Sequence, residues 1–244
     1  MNPTDFVSRV VELFEKRLGV FENKYNVEDW VPGDFNDLEK SCFMFYVTQL
    51  DYAIKSQLLY EGALKLIKIK PNFFLPNTIL NLDENILTNY LATYLRPRYI
   101  NEAVYRYRTN TQKLTEQYKG DPRIIFNDVD ATKVLKRIWE FRGFGPKTGN
   151  LFFRSMVSTF NIKYDNIDSV LPPVDIHDVR IAYLMGYVES ADMSDKNIQH
   201  VKELWNKACI NANVSWITFD KALWLLGSIG HPQSKEDILK LLNV

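Results

Sequence analysis

Phe6, Val10, Phe14 and Leu18 recur every four residues behind Thr4, and that spacing predicts an amphipathic helix over 4–18 with a charged outer face. The stretch from Gly19 to Gly33 breaks the pattern, and Trp30-Val31-Pro32-Gly33-Asp34 reads as a turn. From Asp37 to Leu66 the chain is apolar on much of a helical circumference, through Phe43, Phe45, Val47, Leu50, Ile54 and Leu58, which predicts a long helix central to a lobe. Pro71 and Pro76 make 71–81 irregular. Asp83 then predicts the cap of a helix whose Ile86, Leu87, Tyr90, Leu91 and Tyr94 form one stripe. Beyond Pro97, helices are expected over 99–118 and 129–141, and another from Pro146 to about 160, since proline at the first helical position loses no hydrogen bond. Residues 161–173 predict no element of their own, and helices follow over about 176–186, 195–212, 218–229 and 234–242. Sustained strand-like alternation and internal repeats are absent from the sequence, so the fold class expected is mostly α.

Composition narrows the setting. With 244 residues, 46% of them hydrophobic, the chain is long enough to bury a sizeable core. Cys42 and Cys209 are its two cysteines, too few for a four-thiolate iron–sulfur cluster or zinc site, and His200 and His231 have no partners at metal-ligand spacing. No metal and no cofactor is expected. The start of the sequence lacks a signal-peptide pattern and no window is apolar enough to span a bilayer, so the expectation is a soluble intracellular protein without membrane contact, in cytoplasm or nucleoid, or in the nucleus of a eukaryote. Net charge is zero, which argues against a polyanion as partner. Residues 95–155, however, carry thirteen Lys and Arg against six Asp and Glu, an excess of +7 balanced by −7 elsewhere. Such a sector is either a footprint for phosphates or a set of solvated helix faces.

The residues that bear chemistry are Phe141-Arg142-Gly143-Phe144-Gly145-Pro146-Lys147-Thr148-Gly149-Asn150. The glycines allow positive φ and close approach of backbone to a ligand, Phe144 can anchor the turn, and a helix begins at once, so its N–H groups and positive end face whatever lies against it. A phosphate diester suits that position; an ordinary helical hairpin with a glycine-rich turn is the bland alternative. Lys147 sits at the helix start, where the dipole and partial burial disfavour an ammonium and leave more free amine for attack on a sugar carbon. By itself such a lysine is more often a surface or phosphate-pairing residue than a nucleophile. Asp175 follows Pro172-Pro173-Val174 and opens the next helix, as an N-cap or as a carboxylate that stabilises positive charge at an anomeric carbon.

The first of these segments resembles the hairpin of the helix-hairpin-helix base-excision DNA glycosylases, the endonuclease III-like superfamily. Val174-Asp175-Ile176-His177-Asp178-Val179-Arg180 is similar to that family's Val-Asp-x-His-x-x-Arg segment. The likeness extends loosely from about Leu38 through Gly230. It implies a mostly α, two-lobed fold with the active-site cleft between lobes, and one glycosylase unit over 1–244. Within it, about 37–140 would form one helical lobe, 141–160 the hairpin and its exit helix, and 1–36 with 161–244 a second lobe. By position, Lys147 matches the lysine of the bifunctional members, which displaces the damaged base and then cleaves the strand by β-elimination, and Asp175 matches the catalytic aspartate. Gly143, Phe144, Gly145 and Thr148 fall on the phosphate-binding turn. Arg142, Arg154 and His177 are further candidates for DNA contact. Gln49 falls near a residue that fills the space left by a flipped base, and Trp216, Phe219 and Trp224 where relatives wall the base pocket.

Three departures matter. Phe141-Arg142 replaces the usual Leu-Pro, residues 161–171 lengthen the interval between Lys147 and Asp175, and no cysteine cluster follows Gly227, as in the cluster-lacking 8-oxoguanine and alkylpurine branches. The resemblance implies a glycosylase with abasic-site lyase activity on a damaged base, oxidised purine such as 8-oxoguanine favoured, acting as a monomer on damaged double-stranded DNA. A monofunctional glycosylase for alkylated or deaminated bases and a non-catalytic DNA-binding module are the alternatives.

Overall fold

The computed structural model describes residues 1–23, 26–51 and 54–243. Among them are twelve α-helices and no strand: α1 (Pro3–Glu15), α2 (Asp37–Thr48), α3 (Ser56–Ile69), α4 (Pro76–Asn81), α5 (Glu84–Tyr90), α6 (Ile100–Tyr118), α7 (Ala131–Trp139), α8 (Thr148–Phe160), α9 (Ile176–Leu184), α10 (Asp195–Ala212), α11 (Trp216–Ser228) and α12 (Lys235–Leu241). None of these helices is long and apolar enough to cross a membrane. The chain divides into two compact units, Met1–Lys24 with Asp168–Val244, and Tyr25–Ile167.

In the unit Tyr25–Ile167, α2 is buried along its whole length from Ser41 to Thr48. The expected long helix over 37–66 is in fact two, α2 and α3, and residues 52 and 53 of that span lie outside the described residues. The reason for the break is local. Tight i→i+3 bonds from Leu50 to Val47 (3.1 Å) and from Asp51 to Thr48 (3.0 Å) close α2. The Asp51 carboxylate then takes the Ser56 hydroxyl at 2.8 Å and the Tyr60 hydroxyl at 2.7 Å, a side-chain alternative to helical continuation. Both helices are apolar enough to bury, so periodicity runs through the break unmarked. Phe45 of α2 is the hub of an aromatic core, with Phe141 at 5.2 Å, Phe144 at 5.3 Å and Phe152 at 5.6 Å between ring centroids.

The same unit contains a π-turn, Leu91–Leu95, that extends α5 and stops at Arg96 in the left-handed region (φ 49°). Arg108 of α6 donates to the carbonyls of Ile79, Leu80 and Leu82 and so satisfies the C-terminal end of α4. In the other unit, Phe6 of α1 lies between Trp205 of α10 (5.5 Å) and Phe219 of α11 (6.4 Å). Helices α9 and α11 cross so closely at Gly227 that a Cβ there would stand 2.7 Å from the His177 Cβ. Arg180 of α9 reinforces the crossing by donating to the Gly227 carbonyl at 2.7 Å.

Candidate active site

The hairpin lies between α7 and α8. Gly143 has φ +90°, and a Cβ on it would meet the Arg106 guanidinium at 2.9 Å, so both conformation and space require glycine. Gly149 permits the helix crossing, because a Cβ there would lie 2.7 Å from Trp139 Cδ1. Gly145 is different. Its φ is not positive and nothing stands within 4 Å of where its Cβ would be. The fold therefore makes no demand for glycine at 145, whereas a ligand resting on the backbone would.

The backbone around it is presented accordingly. Gly149 N–H donates to the Gly145 carbonyl at 2.7 Å and Leu151 N–H to that of Lys147 at 2.9 Å. The N–H groups of Gly145 and Thr148 have no acceptor among the described residues. Helix α8 starts at Thr148, two residues later than Pro146, and its cap position is Lys147, whose side chain supplies no capping bond. An uncapped helix start beside an open glycine is a site for an anion. The Lys147 side chain is exposed, which corrects the partial burial expected for it.

Two residues that the sequence did not single out lie behind this element, and the first of them holds it. Asn110 of α6, which is buried, accepts the Arg142 N–H at 2.9 Å and donates to the Arg142 carbonyl at 2.8 Å, pinning the entry to the hairpin by both main-chain groups. Its Nδ2 also donates to Gln49 Oε1 at 2.9 Å. Removing the Asn110 amide leaves those main-chain groups without partners, so Asn110→Ala should cost about 2–3 kcal/mol. Urea unfolding checks that figure, and an unchanged midpoint would refute the pinning role. The second is Asp51. Burial raises its pKa, while the Tyr60 and Ser56 hydroxyls and the charges of Lys147 and Arg154 pull it back. A half-buried carboxyl thus lies within electrostatic reach of Lys147; an acid inside an apolar run, with hydroxyls five and nine positions on, was the signal available.

Asp175 is the N-cap of α9, with extended backbone (φ −121°, ψ −172°) after the buried Pro172-Pro173-Val174. Its Oδ1 accepts the His177 N–H at 2.7 Å, and its own N–H donates to Asp178 Oδ2 at 2.6 Å, a complete capping box. The side chain is half-buried at the mouth of the helix. His177 is also half-buried, its Nδ1 3.3 Å from the Arg180 guanidinium.

Several candidates occupy other roles. Phe144 is buried against Phe45 and Phe152, so it anchors the turn and does not present its ring to DNA, and the Thr148 side chain is buried too. Arg154 is 3% exposed and reaches Asn26 Oδ1 at 2.9 Å and the Glu28 carboxylate at 3.9 Å, an interior pair in place of a phosphate contact. Arg142 is exposed but forks onto Glu102 at 2.7 and 3.1 Å and lies 4.8 Å over the Tyr105 ring. Its hydrogen bonds, with those of Arg106, hold the Glu102 carboxyl down at about 2. Gln49 is fully buried as the brace of Asn110, which removes it from the surface where a wedge would act. Phe219 belongs to the aromatic core around Phe6 and Trp205, while Trp216 is buried and Trp224 half-buried.

The basic sector is corrected on the same grounds. Arg106, Lys113, Arg123, Arg137 and Arg142 pair with Glu102, Glu140, Asp121, Asp128 and Glu102, and Arg108 and Arg154 serve the interior. Much of that positive charge thus ties the unit together. Among the described residues no cluster of His, Cys, Asp and Glu is placed to hold a metal ion.

No family model matches the chain, and no curated protein matches it in sequence. Solved structures do. An 8-oxoguanine glycosylase/lyase of Methanocaldococcus jannaschii, in complex with a 15mer DNA containing 8-oxoguanine, is similar over 91% of this chain and 89% of its own, with 16% identity and a TM-score of 0.51. The 8-oxoguanine DNA glycosylase of the same organism is similar over 91% of this chain and 93% of its own, with 16% identity and a TM-score of 0.54. At that identity the likeness is one of fold, and the fold is the helical one of these glycosylases, as the two motifs led us to expect.

Proposed function

We propose that the protein is a base-excision DNA glycosylase with β-elimination lyase activity on a damaged base, an oxidised purine such as 8-oxoguanine. The observation that carries this reading is Lys147 at the exit of a hairpin whose Gly145 the fold itself does not require. The N–H groups of Gly145 and Thr148 hold a phosphate diester of damaged double-stranded DNA, and the helix start behind them favours the anion. Lys147 Nζ attacks the anomeric carbon as the bond to the base breaks, and the resulting amine adduct opens to a Schiff base. Loss of a proton from C2′ then breaks the C3′–O bond, and the 3′ phosphate leaves. The Asp175 carboxylate stabilises positive charge at the sugar during base departure. This sequence balances without a redox cofactor or metal. The enzyme acts as a monomer inside the cell, and Trp224, half-buried where Trp216 and Phe219 are fully covered, is the aromatic candidate for the base pocket.

The fold likeness supports this reading, since the two similar structures are described as 8-oxoguanine glycosylases and one holds DNA containing 8-oxoguanine. The decisive experiment is borohydride reduction with 8-oxoguanine duplex and with abasic duplex. A covalent protein–DNA adduct is expected with both and none with undamaged duplex; no adduct from the wild type would sink the lyase assignment. The exposed Lys147 side chain favours one second reading, a monofunctional glycosylase in which the lysine only binds phosphate. Base release without strand nicking is its signature.

The phosphate role of the turn has its own test. Gly145→Ala meets no atom of the protein, so its melting temperature should match that of the wild type. The added methyl should still obstruct a phosphate on the backbone and raise Kd for abasic duplex about tenfold, or about 1.4 kcal/mol. Unchanged affinity would remove the phosphate from this turn.

A further inference from the structure

Arg142 is at once more exposed and better held than the other paired cations around it. Its side chain is 54% exposed, against 22–38% for Arg106, Lys113, Arg123 and Arg137. A long exposed side chain is ordinarily mobile, and a surface ion pair alone returns too little to stop it. Here Asn110 holds both main-chain groups of the residue, Glu102 takes one N–H from Nε at 2.7 Å and one from Nη2 at 3.1 Å, and the Tyr105 ring lies 4.8 Å from the guanidinium carbon. Tyr105 is itself exposed, on the second turn of α6. A guanidinium has five N–H donors, and both of those on Nη1 are without an acceptor among the described residues. Glu102 also accepts from Arg106 Nε at 2.8 Å, so two cations share one carboxylate and the trio keeps a net charge of +1. The Arg106 guanidinium is covered by the Gln49 carbonyl at 3.3 Å and by Gly143, which leaves the surplus to be presented at Arg142, beside the first glycine of the hairpin.

We propose that Arg142 is a second phosphate contact beside the hairpin turn, and that Tyr105 and Glu102 are positioning residues that hold its guanidinium ready for a phosphate diester of the DNA backbone. The inference rests on the reading of the hairpin as a DNA site given above. The ion pair with Glu102 does not compete with that contact. It occupies the Nε–Nη2 edge of the guanidinium and leaves the Nη1–Nη2 edge, where an anion can be bound in the two-pronged manner of arginine. A side chain already fixed on a carboxylate and on a ring loses little freedom when the phosphate arrives. The Gly145 and Thr148 N–H groups, at the exit of the hairpin, take one phosphate, and Arg142, at its entry, takes another of the same duplex. Proline stands at this position in the pattern that the hairpin resembles and has no side-chain donor, so the contact belongs to the present chain.

The test is the binding of abasic duplex by the full chain over a series of salt concentrations, with melting temperatures alongside. Arg142→Ala should raise Kd about tenfold and make the salt slope shallower by about 1. Arg142→Lys keeps the charge without the fork, and should restore the slope but not the affinity. Tyr105→Leu changes no charge, and should weaken binding about threefold in the wild type and not at all in the Arg142→Ala background. Removing an acid should by itself tighten binding of a polyanion. Glu102→Gln is therefore expected to tighten it about threefold where Arg142 is alanine and to bring no gain where Arg142 is present, since the guanidinium then loses its aim. A wild-type Kd and slope in Arg142→Ala, with Gly145→Ala still weakened, overturns the proposal and leaves the phosphate in the turn. Equal losses from Tyr105→Leu in both backgrounds, or equal gains from Glu102→Gln, overturn the positioning role. A wild-type protein that does not bind abasic duplex brings down the reading of the hairpin and this proposal together.

Discussion

Lys147→Ala is expected to abolish the borohydride-trapped adduct and to slow base release from 8-oxoguanine duplex by roughly three orders of magnitude or more, the scale on which enzymes lose a nucleophile. Affinity should change far less. One lysine–phosphate contact contributes about one unit to the salt slope, so abasic duplex should still bind, with a slope shallower by about 1. The split between a large loss of chemistry and a small loss of binding is what separates a nucleophile from a phosphate partner. Lys147→Arg sharpens it, because a guanidinium holds the phosphate and cannot form the Schiff base. Lys147 is exposed at the cap position of α8 and contributes no capping bond, so neither substitution removes a helix cap. If Lys147→Ala gives the wild-type adduct, another amine is the nucleophile. If it binds about a hundredfold more weakly yet releases base normally once saturated, the residue is a phosphate clamp and the monofunctional reading takes over.

How far the site could be read in advance depended on whether the physics was local. The N-cap at Asp175 was legible because Pro-Pro-Val forces an extended approach and an apolar stripe begins at once, and the structure has it as a full capping box. The anchoring of the turn by Phe144 was legible for a similar reason, since a lone aromatic between two glycines has the core as its natural destination. Arg154 was misread, although a signal existed. It falls on one helical stripe with Asn150, Phe153 and Val157, all buried, so its face was inward whatever its charge. Arg142 could not have been read. Its partner Glu102 lies 40 residues away, and only the packing of α6 against the hairpin brings them together. The same limit explains the basic sector, where counting charges sees the thirteen cations and not the carboxylates and carbonyls that the fold delivers to them. The break between α2 and α3 was hidden because α2 is buried and α3 carries an apolar buried face, so the apolar pattern runs on across the end of one helix into the next.

Gly62→Ala should be among the most destabilising single-methyl changes available to this chain, although it lies in the middle of a helix where alanine is intrinsically preferred. On propensity alone the substitution would stabilise α3 by about 1 kcal/mol. Packing reverses the sign. Gly62 is buried on the face of α3 that meets the π-turn, and a Cβ there would stand directly on the carbonyl oxygen of Tyr94, with the Tyr94 carbonyl carbon at 2.9 Å. A side chain in that position could rotate away, but this obstacle is backbone. It is held by the turn Leu91–Leu95, whose end is fixed by the Arg96 N–H donating to the Leu91 carbonyl at 2.8 Å. Either α3 moves off the turn and opens a gap along Leu59, Ala63 and Leu66, or the π-turn unwinds and exposes Leu91 and Leu95, both buried. Each outcome costs about 3 kcal/mol or more, the upper range for overpacking, which in a chain of this size lowers the melting temperature by roughly 6–12 °C. Glycine is thus retained at 62 for the approach of two backbones, and not for φ. Gly19, with a positive φ and open space around it, supplies the contrast: Gly19→Ala should cost only about 1 kcal/mol, the expense of a left-handed residue. Thermal melts of the two variants side by side decide the matter, and equal losses would show that the α3–π-turn contact is softer than its geometry implies.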